Sequence, residues 1–60
     1  MQMTEIQEHA RKLYNAHGDK AEYEAAQKAR QLEEAGDHQQ AENWKKIREA
    51  IHQLRGPHES

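Results

Sequence analysis

Apolar residues recur along this chain at steps of three and four, in three separate runs. Met3, Ile6, Ala10, Leu13 and His17 share one face of a first helix, at the spacing an amphipathic α-helix imposes. Ala21, Ala25, Ala29 and Leu32 make a narrower second stripe, with Ala26 beside it, and Ala41, Trp44, Ile47, Ile51 and Leu54 make the third. Gly18-Asp19 and Gly36-Asp37 separate the runs, and Gly56-Pro57 follows the last. Gly adopts the left-handed conformation that ends a helix without steric cost, and Asp accepts from the first free N–H groups of the next helix. Thr4 with Gln7, Asp19 with Glu22 and Asp37 with Gln40 have the spacing of capping boxes. The pattern predicts an all-α, up-down-up three-helix bundle with helices over about 4–17, 19–35 and 37–55. Residues 1–60 read as a single domain, with 1–3 and 56–60 as short tails and His58, Glu59 and Ser60 frayed.

Two-residue turns also set which residues meet. Antiparallel partners lie equidistant from the turn, so Leu32 levels with Ala41, Ala29 with Trp44, Ala26 with Ile47, and Tyr14 with Tyr23. The third helix runs parallel to the first, so Trp44 is expected at the centre of the core, filling the space that the alanines leave.

Composition sharpens this picture. A third of the residues are charged, which leans towards disorder. Ala, Gln, Glu, Lys, Arg and Leu predominate, however, and these are strong helix formers. With no cysteine, disulfides and thiolate metal sites are excluded and a reducing, cytoplasmic setting is expected. MQMTEIQEHARK has no apolar core of a secretory signal, and no apolar run approaches the roughly 20 residues a membrane span requires. A net charge of −2 with both signs interspersed argues against a dedicated nucleic-acid binder. Glu8–Lys12, Glu24–Lys28 and Glu42–Lys46 have i,i+4 spacing in the favourable order. Glu33 and Glu34 lie at the end of the second helix, where the macrodipole disfavours anions.

Chemistry-bearing patterns are sparse. No two of the five histidines stand four apart, so no helical metal pair is formed, and neither a metal nor a cofactor is expected. The carboxylates fall at caps and in i,i+4 pairs, no serine or cysteine nucleophile sits beside a base, and no Gly-rich loop follows a strand. An enzyme is not expected. Two surface features remain. Tyr14 and Tyr23 flank the stripes at one level and form a candidate partner-binding patch. Lys45, Lys46, Arg48 and Arg55, with His52 near, give the third helix a basic side suited to a phosphate backbone, although Glu42 and Glu49 interleave.

The segment from Ala29 to Ile51, with L-x-x-x-G-D-x-x-x-A-x-x-W, resembles the turn region of a tetratricopeptide repeat. That resemblance implies an αα-hairpin of a kind that, when stacked, builds concave peptide-binding surfaces. The chain departs from the family in holding three helices, with no second full repeat to stack. In size and composition it is also similar to short stand-alone helical proteins of bacteria. A small protein-interaction or adaptor module with an unidentified protein partner is the leading expectation; the alternative is a nucleic-acid-associated regulator using the third helix. The few large apolar residues are all needed inside one bundle, so a monomer is expected ahead of a homodimer.

Overall fold

The computed structural model describes residues 2–56. Among these residues three helices are formed: α1 over Met3–His17, α2 over Lys20–Glu34 and α3 over His38–Leu54, each within a residue of the boundaries expected from caps and periodicity. Ion pairs at both ends, Lys45–Glu33 near the α2–α3 turn and Arg55–Glu22 far from it, show α2 and α3 running antiparallel. They form the most extensive helix pair, and α1 packs more on α3 than on α2. No described helix is long and apolar enough to cross a membrane. Met1 and the frayed tail expected at His58–Ser60 lie outside the described residues, as does Pro57.

The α2–α3 turn follows the sequence closely. Gly36 has φ +87, its N–H donates to the Glu33 carbonyl and the Asp37 N–H donates to the Leu32 carbonyl at 2.8 Å. This is the Schellman pattern, which satisfies two of the carbonyls a helix end leaves free. Asp37 also caps α3, its carboxylate accepting from the Gln40 N–H at 3.3 Å. The Asp37 N–H is already committed to Leu32, so only one half of the expected capping box is needed.

The other two boxes do not form. The α1–α2 turn places Gly18 at φ 63, ψ −135, outside the left-handed helical well but near the first central position of a type II′ turn, which Gly favours. Asp19 is already in the right-handed helical region (φ −61, ψ −23) and makes no side-chain cap bond. Instead the Gly18 carbonyl accepts from the Ala21 N–H at 3.0 Å, so backbone takes the place of the carboxylate. At the start of α1, Met3 is already helical and belongs to no tail, Gln2 occupies the cap position, and Thr4 lies inside the first turn.

The core is made of small residues and three isoleucines. Ala10, Ala21, Ala25, Ala41, Ile47 and Ile51 are fully buried, with Ile6 and Ala29 nearly so. Trp44 is not the centre: it is half-buried at the margin, with Leu13, Tyr14 and Ala50, and meets the His9 ring edge-on at 5.1 Å. Buried alanines of α2 and α3 occupy the levels where the indole was expected, and Trp44 packs against the edge of the core instead. Met3 and Leu54, placed by periodicity on core stripes, are 61% and 39% exposed.

Two stability measurements test this arrangement. Ile47→Ala removes a fully buried branched side chain and is expected to cost about 2–5 kcal/mol, more than Trp44→Ala, in chemical denaturation. An equal or larger loss at Trp44 overturns the placement of the core. Gly36→Ala is expected to destabilise by about 1 kcal/mol through backbone strain alone, since no atom lies within 4 Å of the added Cβ. D-alanine at the same position, for which positive φ is unstrained, restores or raises the melting temperature.

Candidate interaction surfaces

The long, flexible charged side chains of this bundle sit at its rim, and most of the ion pairs converge on α2. Lys45 of α3 donates to Glu33 at 2.9 Å and lies 3.8 Å from Glu42. Arg55 donates to Glu22 at 2.6 Å and lies 3.9 Å from Asp19. His52 approaches Glu22 at 3.3 Å, and His17 of α1 approaches Glu24 at 3.3 Å. These contacts account for Glu33, which stands against the α2 dipole because it receives a cation from α3; Glu34 takes Arg30 at 3.6 Å. None of the three expected i,i+4 pairs closes among the described residues: Glu24 turns to His17, and Glu42 turns to Lys45.

The shared partners shift the proton affinity of the groups they join. The hydrogen bond from Arg55 holds the Glu22 carboxyl below its usual range, against a smaller opposing effect of burial and with help from His52. The Arg55 guanidinium is raised in turn, chiefly by the Glu22 bond. Lys45 lowers Glu33 and is itself raised by it, through an exposed hydrogen bond.

Of the four cations expected on the third helix, two are therefore engaged by carboxylates: Lys45 by Glu33, and Arg55, just past the end of α3, by Glu22. Arg48 lines a shallow cleft on the α2–α3 side with Glu22, Tyr23 and Arg55, whereas Lys46 lines a different groove on the α1 side. The four do not gather on one face. The two tyrosines also part company. Tyr14 packs against the core, while Tyr23 is 65% exposed and its hydroxyl accepts from the Gln27 amide at 2.6 Å. No ring pair joins them among the described residues.

A further, largely apolar concave surface lies where the sequence pattern points to none. A groove of about 410 Å³ runs between α1 and α3. Met3, Gln7 and Arg11 line it from α1, at successive i,i+4 steps, and Lys46, Ala50 and Leu54 do the same from α3. Glu49 and Gln53 complete the wall. Met3 and Leu54 are among the most exposed large apolar side chains of the described residues. Periodicity places a residue around a helix, not along it. Both residues share an angular sector with buried isoleucines but occupy terminal turns, and their terminal position was the available signal.

The Glu22–Arg55 bond implies a pH dependence whose sign is determined by the lowered carboxyl. A carboxyl whose folded pKa lies below its unfolded value contributes stability that is complete above the unfolded value, near 4.5 here, and is lost as pH falls through the folded one. Wild type is therefore expected to exceed Glu22→Gln in stability at neutral pH, with the difference shrinking below about pH 4.5 in urea titrations. A difference that does not change with pH overturns the ion-pair account. Comparison of the chain with protein-family models, with curated proteins and with solved structures returns no match.

Proposed function

We propose that this chain acts by protein–protein contact, as a small helical interaction or adaptor module. The observation that carries the reading is the α1–α3 groove, where Met3 and Leu54 stay exposed although a chain of sixty residues has few large apolar side chains. An exposed apolar concavity in a small bundle costs stability that burying those residues would recover, and such patches mark interaction sites. Tyr23, exposed beside the α2–α3 cleft, offers a second contact of the amphipathic kind favoured at interfaces. The resemblance of the α2–α3 hairpin to a tetratricopeptide turn, in a family known for peptide binding, points the same way.

Nucleic-acid binding through α3 gains no support from the geometry, because Lys45 and Arg55 already hold carboxylates and Lys46 and Arg48 lie on different sides. The discriminating experiment is affinity capture from nuclease-treated lysate of the source cells, with wild type and Leu54→Glu as parallel baits. A protein retained by wild type, and reduced about tenfold on the variant, is the expected result. Retention abolished by nuclease, or a salt-dependent shift on titration with duplex DNA or RNA, overturns the reading in favour of a nucleic-acid regulator.

A further inference from the structure

The α1–α3 groove carries more information than its apolar character. Its two rows have i,i+4 spacing on adjacent helices, so its length is about 12 Å along each helix at 1.5 Å per residue. The fold restricts what such a groove accepts. Docking by strand addition needs a sheet edge, and the described residues contain no strand. A polyproline segment docks on aromatic-lined grooves, and no aromatic residue lines this one among the described residues. A groove between two helices is the natural seat for a third, whose side-chain ridges settle between theirs.

Charge narrows the occupant further. Among the described residues neither Arg11 nor Lys46 makes an ion pair, in contrast to Lys45 and Arg55. Among the described residues of the lining Glu49 is the one acidic side chain, against Arg11 and Lys46, so these residues carry an excess of one positive charge in a chain whose net charge is −2. Resting on the interaction reading above, we infer that the groove seats an amphipathic α-helix of a partner protein, whose apolar face covers Met3, Ala50 and Leu54 and whose flanking carboxylates meet Arg11 and Lys46.

A pair of synthetic peptides tests this directly. Each has about 18 residues, with leucines at i, i+3, i+4 and i+7 repeated along one face, and the flanking positions are Glu in one peptide and Lys in the other. Titrated into the isotope-labelled full chain, the Glu peptide is expected to shift the amide resonances of Arg11, Ala50 and Leu54, and to bind at least about tenfold more tightly than the Lys peptide. Arg11→Glu with Lys46→Glu, both exposed changes, is expected to reverse that preference. Leu54→Glu is expected to weaken both peptides while leaving the melting temperature close to wild type.

The inference falls if the two peptides bind equally, if neither binds, or if the shifts map to Tyr23 and Arg48 in the α2–α3 cleft. It also falls if the groove resonances of the free chain move on dilution, because a second copy is then the occupant. A chain that captures a protein through Leu54 yet ignores both peptides removes this inference and leaves the interaction reading standing.

Discussion

The close approach of α2 to α3 is the constraint on which the rest of the structure depends. Ala21, Ala25 and Ala29 on α2 and Ala41 on α3 are all buried, and a methyl is the largest side chain the facing surfaces offer at those positions. Small residues let helix axes come together until backbone and Cβ atoms make the dispersion contacts that larger side chains would otherwise supply. The branched residues that remain fully buried, Ile6, Ile47 and Ile51, are compact enough to seal the junction with α1. An indole is not, and Trp44 is turned to the margin, against His9.

That choice of core has a cost at the other faces. A core built from alanine uses little of the chain's large apolar surface, so Met3 and Leu54 are left on the α1–α3 side and Tyr23 on the α2–α3 side. It also leaves long charged side chains to bind the rim. Glu22, Glu24 and Glu33 of α2, with Asp19 at the preceding turn, receive His17 from α1, Lys45 and His52 from α3, and Arg55 from the cap position that follows it. Exposed pairs of this kind contribute little individually to stability. They do consume charge, and this separates the engaged cations Lys45 and Arg55 from Arg11 and Lys46 in the groove. The candidate binding surface is thus defined by what the packing of α2 leaves unused.

The segment from Ala10 to Ala16 and the segment from Ala29 to Ala35 share A-R-x-L-x-x-A, and the structure treats the two alike. The leading alanine is buried in each, the leucine half-buried, the arginine and the closing alanine exposed, and a glycine of positive φ follows. One local solution for ending a helix beside a neighbour is therefore used twice, although the two turns differ in ψ and in how the next helix is capped. The Gly36 turn is closed by two backbone bonds and an Asp37 cap; the Gly18 turn dispenses with Asp19 because its own carbonyl serves.

By itself the sequence determined whatever depends on local chemistry: three helices, their ends within a residue, the Gly36–Asp37 turn, and the alanine and isoleucine faces that meet. Caps, glycine torsions and a period of 3.6 act over a few residues, so each could be read from a short window of chain. Tertiary structure decided what depends on how closely the axes approach and where each helix ends against its neighbour. It moved Trp44 to the edge, exposed Met3 and Leu54 despite their core-facing angles, and separated Tyr14 from Tyr23. It also sent Glu24 to His17 rather than to Lys28, because a flexible carboxylate takes the partner that packing brings nearest, including one on another helix. The groove between α1 and α3 belongs to this second category: its residues lie on two helices separated by the whole of α2, and only their packing makes them one surface.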